Sequence, residues 1–359
     1  METAEEDYST VKALPRISRE RRVRSYSIAG LAAAAVIVAI VAVTFGSVQI
    51  PFTTVGRILL SSFPIVGNAG DWDPGMQTII MEIRVPRVVL AGLVGAALAT
   101  AGATYQGLFR NPLADPYLIG VAQGASLGAV TGFLLPVANV GMGAVPLFAF
   151  TGALLAAAAV YMLARVGKMV PVTTLILAGV ALGALLGSVV SYLIISSGEK
   201  IHGIVFWLMG SFALSRWSEV AVVWPYVAAG TLLLILFARV LNVMQLDEEQ
   251  AQHLGVNVEK MKLMLLGAAT LITAASVSFV GTIGFVGIIV PHAVRLVWGP
   301  DHRFLLPLSV LTGAIFMIIA DLVARTIMAP TEIPIGVITA ICGAPFFLYL
   351  LRRRKRAIF

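Results

Sequence analysis

The chain has 359 residues, 59% of them hydrophobic and only 12% charged, with a mean hydropathy of +0.94. Soluble domains carry roughly twice that charged fraction, so the expected class is an all-α polytopic membrane protein. The single cysteine, Cys342, excludes an internal disulfide framework, and the net charge of +7 lies largely at the two ends, without the interleaved aromatics of a nucleic-acid surface.

From the N-terminus, Arg16, Arg19, Arg21, Arg22 and Arg24 precede an apolar run over 28–46. That run is of span length, roughly 20 residues, which favours a retained first span over a cleaved signal peptide. Further apolar runs fall near 88–108, 118–135, 146–164, 172–195, 220–241, 261–280, 283–298, 304–324 and 335–351, which makes ten expected spans. Five basic residues, 352–356, follow the last. The chain thus divides into a basic segment 1–27, a ten-span domain 28–351 and a basic tail 352–359, with both ends expected in the cytoplasm. In that orientation only Arg57, Arg84, Arg87, Lys200, Arg216 and Arg325, six of 25 basic residues, face outside. Arg84 and Arg87 flank Pro86, and Arg325 ends "ADLVAR". These outer arginines call for a purpose beyond topology: headgroup anchoring, an internal pair with Asp321 or Glu332, or reception of acidic residues on a partner.

Glycines recur every fourth residue at Gly120, Gly124 and Gly128, and again at Gly179, Gly183 and Gly187. On a helix each set shares one face, suited to close packing or to a smooth pathway for a bulky solute. Between the second and third runs, "QGLFRNPLADP" at 106–116 is a polar turn broken by two prolines. Between the sixth and seventh runs, the loop 245–260 has acidic residues early and basic residues late, with Gly255 as a helix stop. It suits either a solvated connector or a partner-binding helix.

No enzyme constellation is present. His202, His253, His292 and His302 have no metal-ligand spacing, so no metal is expected. Gly167-Lys168 lacks the rest of a phosphate-binding loop, so any ATP and Mg2+ belong on another chain, and this one binds no cofactor. Span centres are mostly free of the buried carboxylates of ion-coupled carriers, which leaves a secondary transporter or channel as the alternative reading.

Several ordered stretches together resemble one family. They are "RVPRVVLAGLVGAALATAGATYQGLFRNPLADPYLIGVAQGAS", "TTLILAGVALGALLGS", the acidic-to-"HLGV" loop, "GTIGFVGIIVPHAVRL", "DHRFLLPLSVLTGA", "ADLVAR" and "EIPIGVITAICGAPFFLYLLRR". The chain resembles, over roughly residues 30–355, the permeases of vitamin B12, haem and ferric-siderophore ABC importers, the large type II class. The resemblance implies ten spans per subunit in a prokaryotic inner membrane and a homodimer with its pathway on the two-fold axis. It also implies two ATPase subunits below and a soluble substrate-binding protein outside. It places Asn111, Leu113, Val172 and Thr173 at the inner gate, with Gly179, Gly183 and Gly187 along the pathway. The ATPase-coupling segment is Asp247, Glu248, Gln250, Gln252, His253, Leu254, Gly255, Val256 and Asn257, and the binding protein docks on Arg84, Arg87 and Arg325. An iron chelate, siderophore or haem, is the expected cargo, with a corrinoid close behind.

Overall fold

A computed structural model describes residues 15–46, 48–61, 72–135, 143–246 and 248–355; Asp247, residues 1–14 of the basic N-terminal segment and 356–359 of the tail lie outside them. Along the chain run α1 (Pro15–Thr44), α2 (Phe52–Ser61) and α3 (Pro74–Thr78), which continues through a π-helical stretch (Ile79–Arg84) into α4 (Val85–Leu108). Then come α5 (Val121–Leu134), α6 (Ala144–Ala164), α7 (Val172–Ile195), α8 (Ile201–Leu208), α9 (Trp217–Leu236) and α10 (Ala238–Met244). The last are α11 (Glu248–His253), α12 (Val258–Val280), α13 (Val286–Trp298), α14 (His302–Thr326) and α15 (Ile335–Lys355). No strand occurs among the described residues, only an isolated bridge between Val166 and Met169.

Seven helical stretches among the described residues are long and apolar enough to cross a membrane: Tyr26–Thr44, Pro74–Leu108, α6, α7, α9, α12 and α14. Three of the ten expected segments fall on shorter apolar helices, namely α5, α13 and the Ile335–Tyr349 part of α15. Contacts between helix ends define two ends of the bundle. One end gathers the start of α4, the close of α1 and α14, and the approach to α15. The other gathers the close of α4 and the starts of α7, α12 and α14.

Helix α4 lies at the centre, and its most apolar window is 83% buried. Its run of Gly, Ala and Thr lets neighbouring backbones approach closely, the packing that lipid-embedded helices favour. A Cβ on Gly95 would overlap the carbonyl of Gly313 in α14, and one on Gly102 would overlap that of Gly287 in α13. Gly124 and Gly128 of α5 meet the backbone of α6 at Gly152 and Phe148 in the same way.

Two expected helices are interrupted. The third segment opens with a 3-10 turn over Pro116–Ile119, and Gly120 has φ +80°, so it caps the turn instead of extending the glycine face of α5. The sixth divides at Phe237 into α9 and α10. Residues 281–285, between α12 and α13, are non-helical. There Tyr117 serves both backbone groups of Ile283: its hydroxyl donates to the carbonyl and accepts from the N–H, each at 3.0 Å. Protein partners of this kind are what an irregular backbone requires where water is excluded.

Candidate functional site

At the end of α4 the chain leaves the helix at Leu108, and Arg110 takes φ +48°. Asn111 then accepts the N–H of Leu113 on its side-chain oxygen at 3.0 Å, a local turn that the two prolines reinforce. Across a cavity of about 500 Å³, Phe109 and Arg110 share the lining with Val172 and Thr173 at the start of α7. The structure therefore brings Val172 and Thr173 against the close of α4, while Asn111 and Leu113 sit in the adjoining turn. Gly179 packs against the backbone of Leu118; Gly183 has only Gln123 nearby, and a Cβ on Gly187 would meet open space. The glycine stripe on α7 thus divides between packing and an open face.

The loop 245–260 contains one short helix, α11, with Glu248 and Glu249 in its first turn and His253 in its last. Lys260 and Lys262 belong to the next helix, α12, so the last turn of α11 holds His253 and not the lysines that the late basic residues of the loop suggested. Leu246 precedes the helix, and Gln250 and Gln252 lie within it. Gly255 (φ +84°) reverses the chain, and the N–H of Val256 returns to the carbonyl of Ala251 at 3.1 Å. Asn257 caps α12 by accepting the N–H of Lys260. Leu254, 64% exposed, stands out as an apolar side chain at the tip.

Beneath this loop lies an ion-pair cluster that the sequence signals only in part. Lys262, buried, holds Glu248 at 2.7 Å and Glu259 at 3.1 Å. The spacing of Glu259 and Lys262, three apart on a helix, was the available signal. Nearby, Asp301 caps α14, accepts from Asn242 at 2.7 Å and pairs with Arg303 at 2.7 Å. The Arg303 bonds and the amide of Asn242 hold its carboxyl well below the usual carboxylate range.

The opposite end gathers the three arginines. Arg87 donates to Asp321 at 2.8 Å and to Glu332 at 2.8 Å. Arg325 contacts Asp321 at 3.5 Å and donates to the carbonyl of Ala42. Arg84 donates to the carbonyls of Val43 at 3.0 Å, Thr44 at 2.7 Å and Val48, where α1 ends. All three are buried. The internal pairing with Asp321 and Glu332 is present, and the cluster still sets three guanidiniums against two carboxylates. Among the described residues no group of three or more His, Cys, Asp or Glu is placed to hold a metal.

An all-helical bundle with a glycine-packed central helix, several stretches long and apolar enough to cross a membrane and an irregular break served by protein partners is the build of a polytopic membrane protein. Comparison with known proteins makes this specific. The FecCD transport family matches residues 34–353, and the chain belongs to that family. It is 52% identical to the cobalamin import system permease protein BtuC of Halobacterium salinarum, over 78% of this chain and 74% of that protein. It is 40% identical to the hemin transport system permease protein HmuU of Yersinia pestis, over 82% of this chain and 89% of that one. Among solved structures it is similar to an inward-facing metal-chelate type ABC transporter, with TM-score 0.77 and 33% identity, covering 91% of this chain and 98% of that one. It is a multi-pass permease of the cell membrane.

Proposed function

We propose that the chain forms, as a homodimer, the translocation pathway of an ATP-driven importer whose cargo is a corrinoid. The 52% identity to a permease named for cobalamin, against 40% to one named for haemin, moves the corrinoid ahead of the iron chelates. Each subunit crosses the membrane ten times with both ends in the cytoplasm, the short helices α5, α13 and α15 being spans shielded by their neighbours. The arginine end then faces outward and receives a substrate-binding protein. The loop end faces the cytoplasm and receives two ATPase subunits, which bind the ATP and Mg2+.

The observation that carries this reading is the loop-end junction, where Glu248 of α11 shares one cavity with the start of α7 and Leu254 stands exposed just past the helix. A docked partner there lies within reach of the inner gate at Val172, Thr173, Asn111 and Leu113. Helix α7 supports the homodimer: only 11% of its apolar window is buried, leaving a face for a second copy around the axis.

Reconstitution tests it. The permease, its ATPase and its binding protein in proteoliposomes should accumulate labelled cobalamin only with ATP inside the ATPase-accessible compartment, and haemin or ferric siderophore far less. Uptake driven by a proton or sodium gradient without the ATPase would establish the secondary-transporter alternative instead.

A further inference from the structure

We propose that Lys262 is a positioning residue that ties the ATPase-facing helix α11 to the inner gate at the start of α7, so that movement of one is transmitted to the other. The inference rests on the coupling and gate assignments proposed above. The Lys262 ammonium has three donors and meets three acceptors: Glu248 of α11 at 2.7 Å, Glu259 of α12 at 3.1 Å and the carbonyl of Val170 at 3.3 Å. Glu259 completes the hold by accepting the N–H of Val170 at 3.1 Å on its other oxygen. Both backbone groups of Val170 are therefore bound by one ion pair. Pro171 follows and Val172 opens α7, so little chain lies between the clamp and the gate.

Burial decides which member can respond. The Lys262 side chain is 6% exposed and that of Glu259 is 26%, whereas Glu248, at 39%, is the member open to a partner. Displacing α11 either drags the ammonium, and Val170 with it, or surrenders Glu248 while Glu259 retains Lys262. In both cases the tension on the start of α7 changes. A buried ion pair adds little net stability over apolar packing, so a cluster of this kind is better suited to specifying a geometry than to strengthening the fold.

The test uses the full complex of permease, ATPase and binding protein in proteoliposomes. A cysteine replaces Val172 in both copies, and Cys342 is changed to serine. With Lys262 intact, crosslinking between the two copies should differ between the nucleotide-free and ATP-bound complexes. Lys262→Met should abolish that difference and lower cobalamin moved per ATP hydrolysed by tenfold or more, and Lys262→Arg should restore much of both. If Lys262→Met does not assemble, Glu259→Leu, which removes both the Val170 bond and the ammonium's second partner, gives the same readouts. Wild-type nucleotide response and cobalamin-to-ATP ratio in the assembled Lys262→Met or Glu259→Leu complex would overturn the tie alone. Absence of any nucleotide response with Lys262 intact would overturn the gate assignment, and the tie with it.

Discussion

Arg87 and Asp321, 234 positions apart in sequence, are joined by three hydrogen bonds of 2.8 to 3.1 Å that pin α4 to α14. Their side chains are 8% and 2% exposed, so losing either partner leaves the other buried with less compensation: Asp321 would keep Arg325 at 3.5 Å, and Arg87 would keep Glu332 at 2.8 Å. Arg87→Ala or Asp321→Ala should each destabilise the permease by about 1.5 to 3 kcal/mol, the range for hydrogen bonds to charged groups. Replacing both with apolar residues of similar volume should recover only part of the loss, because Arg325 then loses Asp321 and Glu332 loses Arg87. Thermal unfolding of the four proteins in one detergent measures the cycle, and a double variant as unstable as the single ones would contradict it.

The glycines separate by what they touch. Gly102→Ala would drive a methyl group into the backbone of Gly287, forcing α4 and α13 apart at a cost of at least about 1 to 3 kcal/mol. Gly187→Ala meets open space and gains helix propensity, so it should be neutral or stabilising by up to about 1 kcal/mol. Melting temperatures of the two variants relative to wild type should therefore move in different directions, or one should not move at all.

Apolar run length made the helical class and nearly every segment legible, because a bilayer demands long uninterrupted stretches. The finer structure was not legible, for physical reasons. Gly120 continues a perfect four-residue spacing, yet the Pro116 turn before it imposes a left-handed cap. Phe237 ends α9 inside a run that hydropathy reads as continuous. The outer arginines stood out by their sign and position, and pairing with Asp321 and Glu332 could be named as one option. Burial of all three could not be foreseen, since it depends on contacts between distant elements: Arg84 and Arg325 with the close of α1, 40 or more residues away, and Arg87 with Asp321 and Glu332. In the sequence Lys262 is one basic residue among many, because its partners Glu248 and Val170 lie on other elements.

Asp301 gives a pH signature at the loop end. Its carboxyl is held down in the folded chain by Arg303 and Asn242, so the associated stability is fully present above the unfolded carboxylate value of about 3.9. It is lost only as pH falls through the lower folded value. Between pH 8 and pH 5, then, Asp301→Ala should lower stability by a constant amount, about 1 to 2 kcal/mol from the lost α14 cap. The difference from wild type should shrink below about pH 4. Asn at 301 keeps a capping oxygen and should cost less. Denaturation of the three proteins across that range checks the sign.

If the loop 245–260 receives the ATPase as proposed, its tip should matter for assembly more than for folding. Leu254 is 64% exposed, so Leu254→Asp removes little internal packing and should change the melting temperature slightly. It should weaken capture of the ATPase by tenfold or more, since an apolar anchor is replaced by a charge at a buried contact. Gly255→Val adds backbone strain of about 1 to 2 kcal/mol at φ +84° and should reorient the same tip. Co-purification of the ATPase with each variant is the measurement, and undiminished capture by both would remove this loop from the interface.

The outer arginines permit a test that separates docking from internal structure. Glu332 occupies two nitrogens of Arg87, at 2.8 and 3.0 Å, yet its side chain is 32% exposed, more open than Asp321. A carboxylate on the binding protein would compete with Glu332 for the same guanidinium. Glu332→Gln removes that competitor and raises the local positive charge by one, while Asp321 continues to satisfy Arg87 from inside. If Arg84, Arg87 and Arg325 form the docking surface, this variant should bind the binding protein about three- to tenfold more tightly, roughly 0.7 to 1.4 kcal/mol. The gain should fade as salt is raised, because a partly exposed charge at a rim is screened within about 10 Å at 0.1 M. An arginine cluster with a purely structural task predicts the reverse: Glu332→Gln would cost some stability and leave affinity unchanged at every salt concentration. Titration of the binding protein against the two permeases in nanodiscs, at low and high salt, decides between them.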